Sequence, residues 1–226
     1  MTARPHILHT LGDTLLYFRD NILMMGSLAE RNLHNATQGL LHRDQELCNA
    51  AIVDDEEIDF LEKQMDFDGL EIIRRFHPVA CDLRAVVASM RISANVERVA
   101  DQATSIARRA LKLNQQPRLE GAELLEPLIR KAVGLYKDSL RAFSDHDIEL
   151  ARSLKGRDKE IDEMNAAITG NYTELISHHL DEVHNYLAMI FISRHLERIG
   201  DHATNIGEDV VFAASAEDIR HGGNRG

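Results

Sequence analysis

The side chains with the most chemistry to offer in this sequence are carboxylates that recur in pairs four residues apart. Glu197 and Asp201 stand in Arg194-His195-Leu196-Glu197-Arg198-Ile199-Gly200-Asp201-His202-Ala203-Thr204-Asn205-Ile206. Glu97 and Asp101 stand in Ala94-Asn95-Val96-Glu97-Arg98-Val99-Ala100-Asp101-Gln102-Ala103-Thr104-Ser105-Ile106. The two segments align without a gap at an offset of 100 residues, with Glu, Arg, Asp, Ala, Thr and Ile in register. Polar identities held at fixed positions mark an internal duplication. On a helix, a spacing of four puts both carboxylates on one face, one turn apart. Each copy is preceded by a second acidic pair. Asp55 and Asp59 lie in Asp-x-x-Ile-Asp, and Asp158 and Asp162 repeat that pattern 103 residues later.

Like charges one turn apart cost a helix a few tenths of a kcal/mol, so four such pairs ask for an explanation. One reading is the binding of hard cations such as Mg²⁺, Mn²⁺ or iron through oxygen ligands. The other is a solvated acidic face whose Arg98, Arg108 and Arg198 supply surface ion pairs of little worth. At 100° per residue, Asp55, Asp59, Glu62 and Asp66 form one narrow stripe, while Ile58, Leu61, Met65 and Ile72 form another that faces a core. In the second copy the acidic stripe fades to Asp158, Asp162, Asn165 and Thr169. Glu97 and Asp101 likewise oppose Val96, Val99, Ala103 and Ile106, which puts the acids on or near the surface. Between antiparallel neighbouring helices, Asp55, Asp59, Glu97 and Asp101 can converge on one seam. Asp158, Asp162, Glu197 and Asp201 can converge on another. A ferritin-like di-iron centre needs Glu-x-x-His pairs aimed into a bundle core, and the sequence holds none. His202 is a conceivable ligand, but its counterpart Gln102 is a poor one, and hydrogen bonding is the ordinary role for such a histidine. There is no phosphate loop, nucleophile elbow or kinase motif.

The elements that must position these acids are long amphipathic helices. The first runs from Ile7 to about Leu47, with a turn or mild break at Arg43-Asp44, and Gly12, Gly26 and Gly39 mark tight packing or bends. Met24 and Met25 read as core packing. A second helix runs from about Cys48 to Arg75 and stops at Phe76-His77-Pro78. A third extends from Pro78 to about Leu113. Asn114-Gln115-Gln116-Pro117-Arg118-Leu119-Glu120-Gly121 is the clearest linker. Three more helices follow, at about Ala122 to Phe143, Ile148 to Ser177 and Asp181 to Ala214, with Ser144-Asp145-His146-Asp147 as turn and cap. The predicted fold is all-α, two tandem duplicated three-helix bundles of six long helices. Residues 1–114 form the first bundle, 118–216 the second, and 217–226 a disordered tail.

Composition agrees with that class and removes others. Aromatics are 5% and Trp is absent from 226 residues, which favours helix over sheet. A formal net charge of −11 works against nucleic-acid binding, which needs a basic surface. Cys48 and Cys81 have neither metal-type spacing nor a disulfide framework. No apolar run approaches the roughly 20 residues of a membrane span, and no signal-peptide pattern opens the sequence, so a cytoplasmic protein is expected.

Several of these motifs together resemble the PhoU phosphate-uptake-regulator family. They are the two Glu-Arg-Ile/Val-Gly/Ala-Asp copies with the following Ala-Thr, and the Asp-x-x-Ile-Asp starts of the middle helices. Others are Phe18-Arg19-Asp20 leading to Met25-Gly26, Pro78-Val79-Ala80-Cys81-Asp82-Leu83-Arg84, and Gly207-Glu208-Asp209-Val210-Val211-Phe212 with Glu217-Asp218-Ile219-Arg220-His221. The first copy departs from the pattern at Ala100 and Ser105, where the second has Gly200 and Asn205. The resemblance implies a two-bundle, often dimeric cytoplasmic regulator and not an enzyme. It implies multivalent metals (Mg, Mn, Fe or Zn) held by Glu197, Asp201, Glu97, Asp101, Asp158, Asp162, Asp55 and Asp59. It further implies two partners, a phosphate-sensing histidine kinase and the ATPase subunit of a phosphate ABC transporter. Such a scaffold restrains phosphate uptake and the starvation response when phosphate is sufficient. A carboxylate-rich metal-storage or metalloenzyme bundle remains the alternative from the residues themselves.

Overall fold

The computed structural model describes residues 4–217, with side chains from Thr10 onward. The helices are α1 (Arg4–Leu41), α2 (Gln45–Val53), α3 (Asp55–Phe76), α4 (Ala80–Leu113), α5 (Leu125–Asp145), α6 (Ile148–His178) and α7 (Val183–Ser215). Short 3-10 turns at Ala122–Leu124 and Leu180–Glu182 lead into α5 and α7. Among the described residues there is no strand. The all-α, two-bundle architecture is therefore as the duplicated pattern requires. The first bundle is α1, the α2–α3 pair and α4; the second is α5, α6 and α7. Of the 217–226 segment read as a disordered tail, Glu217 is described and pairs with Arg152, and residues 218–226 lie outside the described residues.

The first helix breaks where expected, at Arg43-Asp44, and the second is cut differently from its periodicity. The first stops at Leu41 because Arg43 takes a left-handed conformation (φ 57°). Asp44 then caps α2 by accepting from the amides of Glu46 and Leu47, the Asx-type N-cap that ends one helix and starts the next. The second is interrupted at Asp54, whose carboxylate accepts from Arg31 Nε at 3.2 Å. That interruption separates α2 from α3 just before the first acidic pair. The third helix begins at Ala80, two residues after Pro78, since His77 and Ala80 both have positive φ.

Gly26 and Gly39 carry the close contacts expected of them: an added Cβ would fall 2.7 Å from Leu140 Cδ2 and 2.5 Å from Cys48 Sγ, respectively. Around Gly12 there is open space, so its glycine is not a packing requirement. Of the methionine pair, Met25 is buried but Met24 is half exposed, which corrects the reading of both as core. The linker is tied down. Arg43 donates to the carbonyls of Asn114 and Gln116, Asn114 Nδ2 donates to Gly39 O at 3.0 Å, and Tyr172 Oη to Gly121 O at 3.0 Å.

The bundles share one core. α4 packs along α7, α1 reaches α5, and the buried side chains of both bundles form one continuous cluster. The two helices that carry the Glu-x-x-x-Asp turns are thus the central pair. Their apolar stripes (Val96, Val99, Ala103, Ile106 and Leu196, Ile199, Ala203, Ile206) are fully buried. At roughly 25 cal/mol per Å² of apolar surface removed from water, this central pair holds the helix faces in fixed rotation. The acids therefore have to lie on the flanks.

Candidate metal centres

Each seam is formed where a middle helix crosses the central helix of its own bundle. α3 brings Asp55 and Asp59 against Glu97 and Asp101 of α4, and α6 brings Asp158 and Asp162 against Glu197 and Asp201 of α7. All eight residues are described; Asp162 and Asp201 are exposed and the other six are half-buried. The mutual field is visible in their acidities. Asp158 is pushed up to about 7, first by burial and then by Asp201, Asp162 and Glu197. Glu97 also rises to about 7, through burial and Asp101, with Arg98 opposing. Burial and carboxylate neighbours likewise raise Asp55, Glu197 and Asp201. Such clusters of raised carboxylates are what a cation would relieve.

Glu62 belongs to the first seam as well. It is raised by burial and Asp66, and it contributes to the field at Glu97. Thr104 is a member that sequence reasoning passed over: it donates to Ala51 O at 3.4 Å and stands beside Asp55, where its hydroxyl opposes the rise caused by burial. The signal was present, since the Asp-x-Ala-Thr order stands in both copies. In the second seam the residues matching Glu62 and Asp66 are neutral, and Asn165 Oδ1 accepts from Ser193 Oγ at 2.7 Å.

Whether these residues suit a metal has two sides. One carboxylate oxygen in each seam, Asp55 Oδ1 and Asp158 Oδ1, is buried with no hydrogen-bond partner. These are equivalent positions in the duplication, and a buried acceptor left unpaired costs about 1–3 kcal/mol. All the donors are hard oxygens, the chemistry of Mg²⁺, Mn²⁺ or Fe³⁺. Against this, among the described residues no three Asp, Glu, His or Cys side chains are gathered closely enough to cage an ion. The donor set fits a hard cation, and the rotamers do not preform its coordination sphere.

The two seams are not equal. Arg98 holds Glu97 at 3.2 Å and Asp101 at 2.9 Å, so the first pair already carries a cation of its own. Among the described residues Arg198 forms no ion pair. Gly200 marks a second difference. A Cβ there would clash with Asp158 Oδ1 and come within 3.2 Å of Ile161 Cδ1. The glycine therefore lets the Asp158 carboxylate lie directly on the backbone of α7.

The histidines of the second motif face α4, with Asp101 of the first seam acting on His202. His195 Nδ1 meets Gln102 Oε1 at 2.7 Å and His202 Nδ1 meets Asn95 Oδ1 at 3.1 Å, both across α4 and α7. Each ring therefore donates to an amide oxygen. Burial and nearby arginines lower both histidines, His195 to about 4, so the rings are neutral. The pairing is reciprocal: position 95 meets 202 and 102 meets 195, which is what a twofold axis between the two copies produces.

A family model described as the PhoU domain matches residues 22–110 and again residues 125–210. The chain belongs to the PhoU family. Relatives named phosphate-specific transport system accessory protein PhoU homolog include one from Xylella fastidiosa, 32% identical over 95% of this chain and 90% of its own length. Another, from Pseudomonas putida, is 33% identical over 96% of this chain and 86% of its own. A crystal structure of PhoU from Pseudomonas aeruginosa superposes with a TM-score of 0.87 at 28% identity, over 91% of this chain and 99% of that one. One from Streptococcus pneumoniae gives a TM-score of 0.85 at 24% identity and supports the fold alone. Both PhoU-domain matches contain a seam, so the acids belong to the part of the chain that the family shares.

Proposed function

We propose that this protein is an accessory regulator of phosphate transport, acting as a cation-dependent helical scaffold and not as an enzyme. The observation that carries the regulatory reading is the full-length match to relatives named as accessory proteins of the phosphate-specific transport system, covering both repeats. In this reading the scaffold contacts the ATPase subunit of a phosphate ABC transporter and a phosphate-sensing histidine kinase, and it holds the starvation response down when phosphate is sufficient. The working form is a cytoplasmic homodimer. No helix among the described residues is long and apolar enough to cross a membrane.

Glu197, Asp201, Asp158 and Asp162 hold the stronger cation site, and Glu97, Asp101, Asp55 and Asp59 the weaker one. One orphaned Asp oxygen in each seam supports a site there, and the pairing of Arg98 with Glu97 and Asp101 supports the order. A bound divalent or trivalent ion supplies positive charge that neutralises the seam. The chain supplies the oxygens, keeps Asp55 and Asp158 partly desolvated, and sets the charge of the faces that partners meet. The storage or redox-bundle alternative has less support, because the carboxylates flank the central helix pair and do not line its core.

Deletion of the gene is expected to derepress phosphate-regulated transcription in phosphate-rich medium; normal repression there would sink the regulatory reading. Calorimetry with Mn²⁺ on wild type and on Glu197→Ala/Asp201→Ala tests the site separately. Equal heats from the two proteins would remove that turn from the ligand set.

A further inference from the structure

The duplication leaves one surface unrepeated. On the outer side of α3, Phe60, Phe67 and Leu70 are 66%, 63% and 60% exposed, and Val53 at the end of α2 is 71% exposed. Phe60 and Phe67 are one heptad apart, and Leu70 follows by three, so the side chains form a continuous ridge along one helix face. At the matching positions of α6 stand Gly156, Glu163, Gly170 and Thr173, all exposed or in a solvated turn of the helix. The aromatic ridge is therefore not a requirement of the bundle, since the sister helix occupies the equivalent place without it. Two phenylalanines held in water on a rigid helix are a contact surface.

The charge around the ridge selects what covers it. From Asp54 to Asp68 the sequence holds eight Asp and Glu against the single Lys63. A second copy of this chain would bring a like set of acids against these, on a molecule whose net charge is already −11. An anionic lipid surface would be repelled in the same way. Complementarity calls for apolar side chains at a spacing of three and four residues, flanked by lysine or arginine. We propose that the α3 face is the docking site for a basic amphipathic helix presented by a protein partner. The site stands whether or not the seams take up cations, and its failure would leave the regulatory reading untouched.

The test uses the full chain and a fluorescent synthetic peptide of about 18 residues, Leu at every third or fourth position and Lys or Arg elsewhere. A scrambled peptide of the same composition serves as its control. Fluorescence anisotropy should show the patterned peptide binding at least about tenfold tighter than the scrambled one. Phe60→Ser/Phe67→Ser should bring the two peptides to the same affinity while the circular dichroism melt stays in place. Glu56→Lys/Asp66→Lys should weaken the patterned peptide without touching an aromatic residue, and Glu163→Ser/Thr173→Ser on α6 should leave it unchanged. Equal binding of the two peptides to wild type would reduce the face to unspecific charge attraction and overturn the proposal. So would light scattering that shows wild-type dimers dissociated by Phe60→Ser/Phe67→Ser, which would assign the ridge to a second copy. Loss, in that same variant, of wild-type binding to phosphatidylglycerol vesicles would assign it to lipid and overturn the proposal too.

Discussion

The two halves of this molecule each place four carboxylates on the same helix flanks and then treat them differently. In the first half an arginine from the motif itself, Arg98, lies across Glu97 and Asp101, and Ala100 fills the contact between helices. In the second half Arg198 leaves Glu197 and Asp201 unpaired among the described residues, and Gly200 opens a bed for the Asp158 carboxylate. One seam is partly neutralised from within, while the other keeps its charge unbalanced. Duplication thus fixes where the acids stand, and a few neighbouring residues decide how much they need a cation. Each of the following changes should widen or close that difference.

The largest effect is expected at Gly200. Gly200→Leu would drive a side chain into Asp158 and Ile161, an overpacking cost of about 2–3 kcal/mol. Ala100→Gly on the other half should lose about 1 kcal/mol through helix propensity. Urea unfolding measures both. If the two variants were equally mild, the close approach of α6 and α7 at Gly200 would not be the constraint described.

Next comes the pH dependence of the apo protein. Asp158 has its folded-state pKa raised to about 7, so between the ordinary carboxylate value and about 7 the folded chain binds more protons than the unfolded one. Stability contributed by that proton is complete below the ordinary value and is lost as pH rises through 7. Asp158→Asn keeps the neutral form at all pH values. It should stabilise the apo protein at pH 7.5 and leave it unchanged near pH 4. Since the group is only half buried, solvent screening reduces the effect to about 1–2 kcal/mol. Thermal melts across that range in chelator check it, and a parallel shift at both pH values would show that charge is not the cause.

Much of this was legible in the sequence because duplication supplied its own control. An isolated Glu-x-x-x-Asp says little, but its return at a fixed offset with Arg, Ala and Thr in place located α4 and α7, their buried stripes and both seams. Periodicity could not show the interruption at Asp54, since α2 and α3 keep nearly the same apolar phase across one residue. Nor could it show that the bundles merge. An apolar stripe says that a face is buried, not which helix covers it, and here α4 and α7 cover each other. Met24 failed for a related reason, since a methionine next to a buried one sits about 100° away on the wheel. The Ala100 and Gly200 difference was visible as letters, but its meaning needed the position of Asp158. Thr104 and the reciprocal histidine pairs were readable in principle. Two like helices related by a twofold bring position 95 of one copy to 202 of the other.

Those pairs give the third test. Gln102→Ala removes the acceptor of His195 Nδ1, in a ring whose Nε2 is already buried without a partner. That should cost about 1 kcal/mol. Asn95→Ala should cost roughly half as much, because His202 holds its amide at a longer 3.1 Å, and Asn205 beside it is exposed. Denaturant unfolding compares them, and equal losses would mean that the twofold extends to energetics as well as to position.

The smallest and most selective test concerns Arg98. Its guanidinium is more than half exposed while it pairs with Glu97 and Asp101, so each contact contributes only about 0.2–1 kcal/mol. A cation entering the first seam must displace those contacts or share the carboxylates with them. Arg98→Ala should therefore raise Mn²⁺ affinity at the first seam by about threefold to tenfold at low ionic strength, from roughly 1 kcal/mol. The same change at Arg198 removes no pairing and should act only through its longer-range field. Calorimetry on a background of Glu197→Ala/Asp201→Ala isolates the first seam for Arg98→Ala, and Glu97→Ala/Asp101→Ala isolates the second for Arg198→Ala. Added salt should shrink the gain from Arg98→Ala, because it screens the arginine that the substitution removes. Were Arg198→Ala to gain as much as Arg98→Ala, the difference between the halves would lie in Gly200 and Asp158 alone.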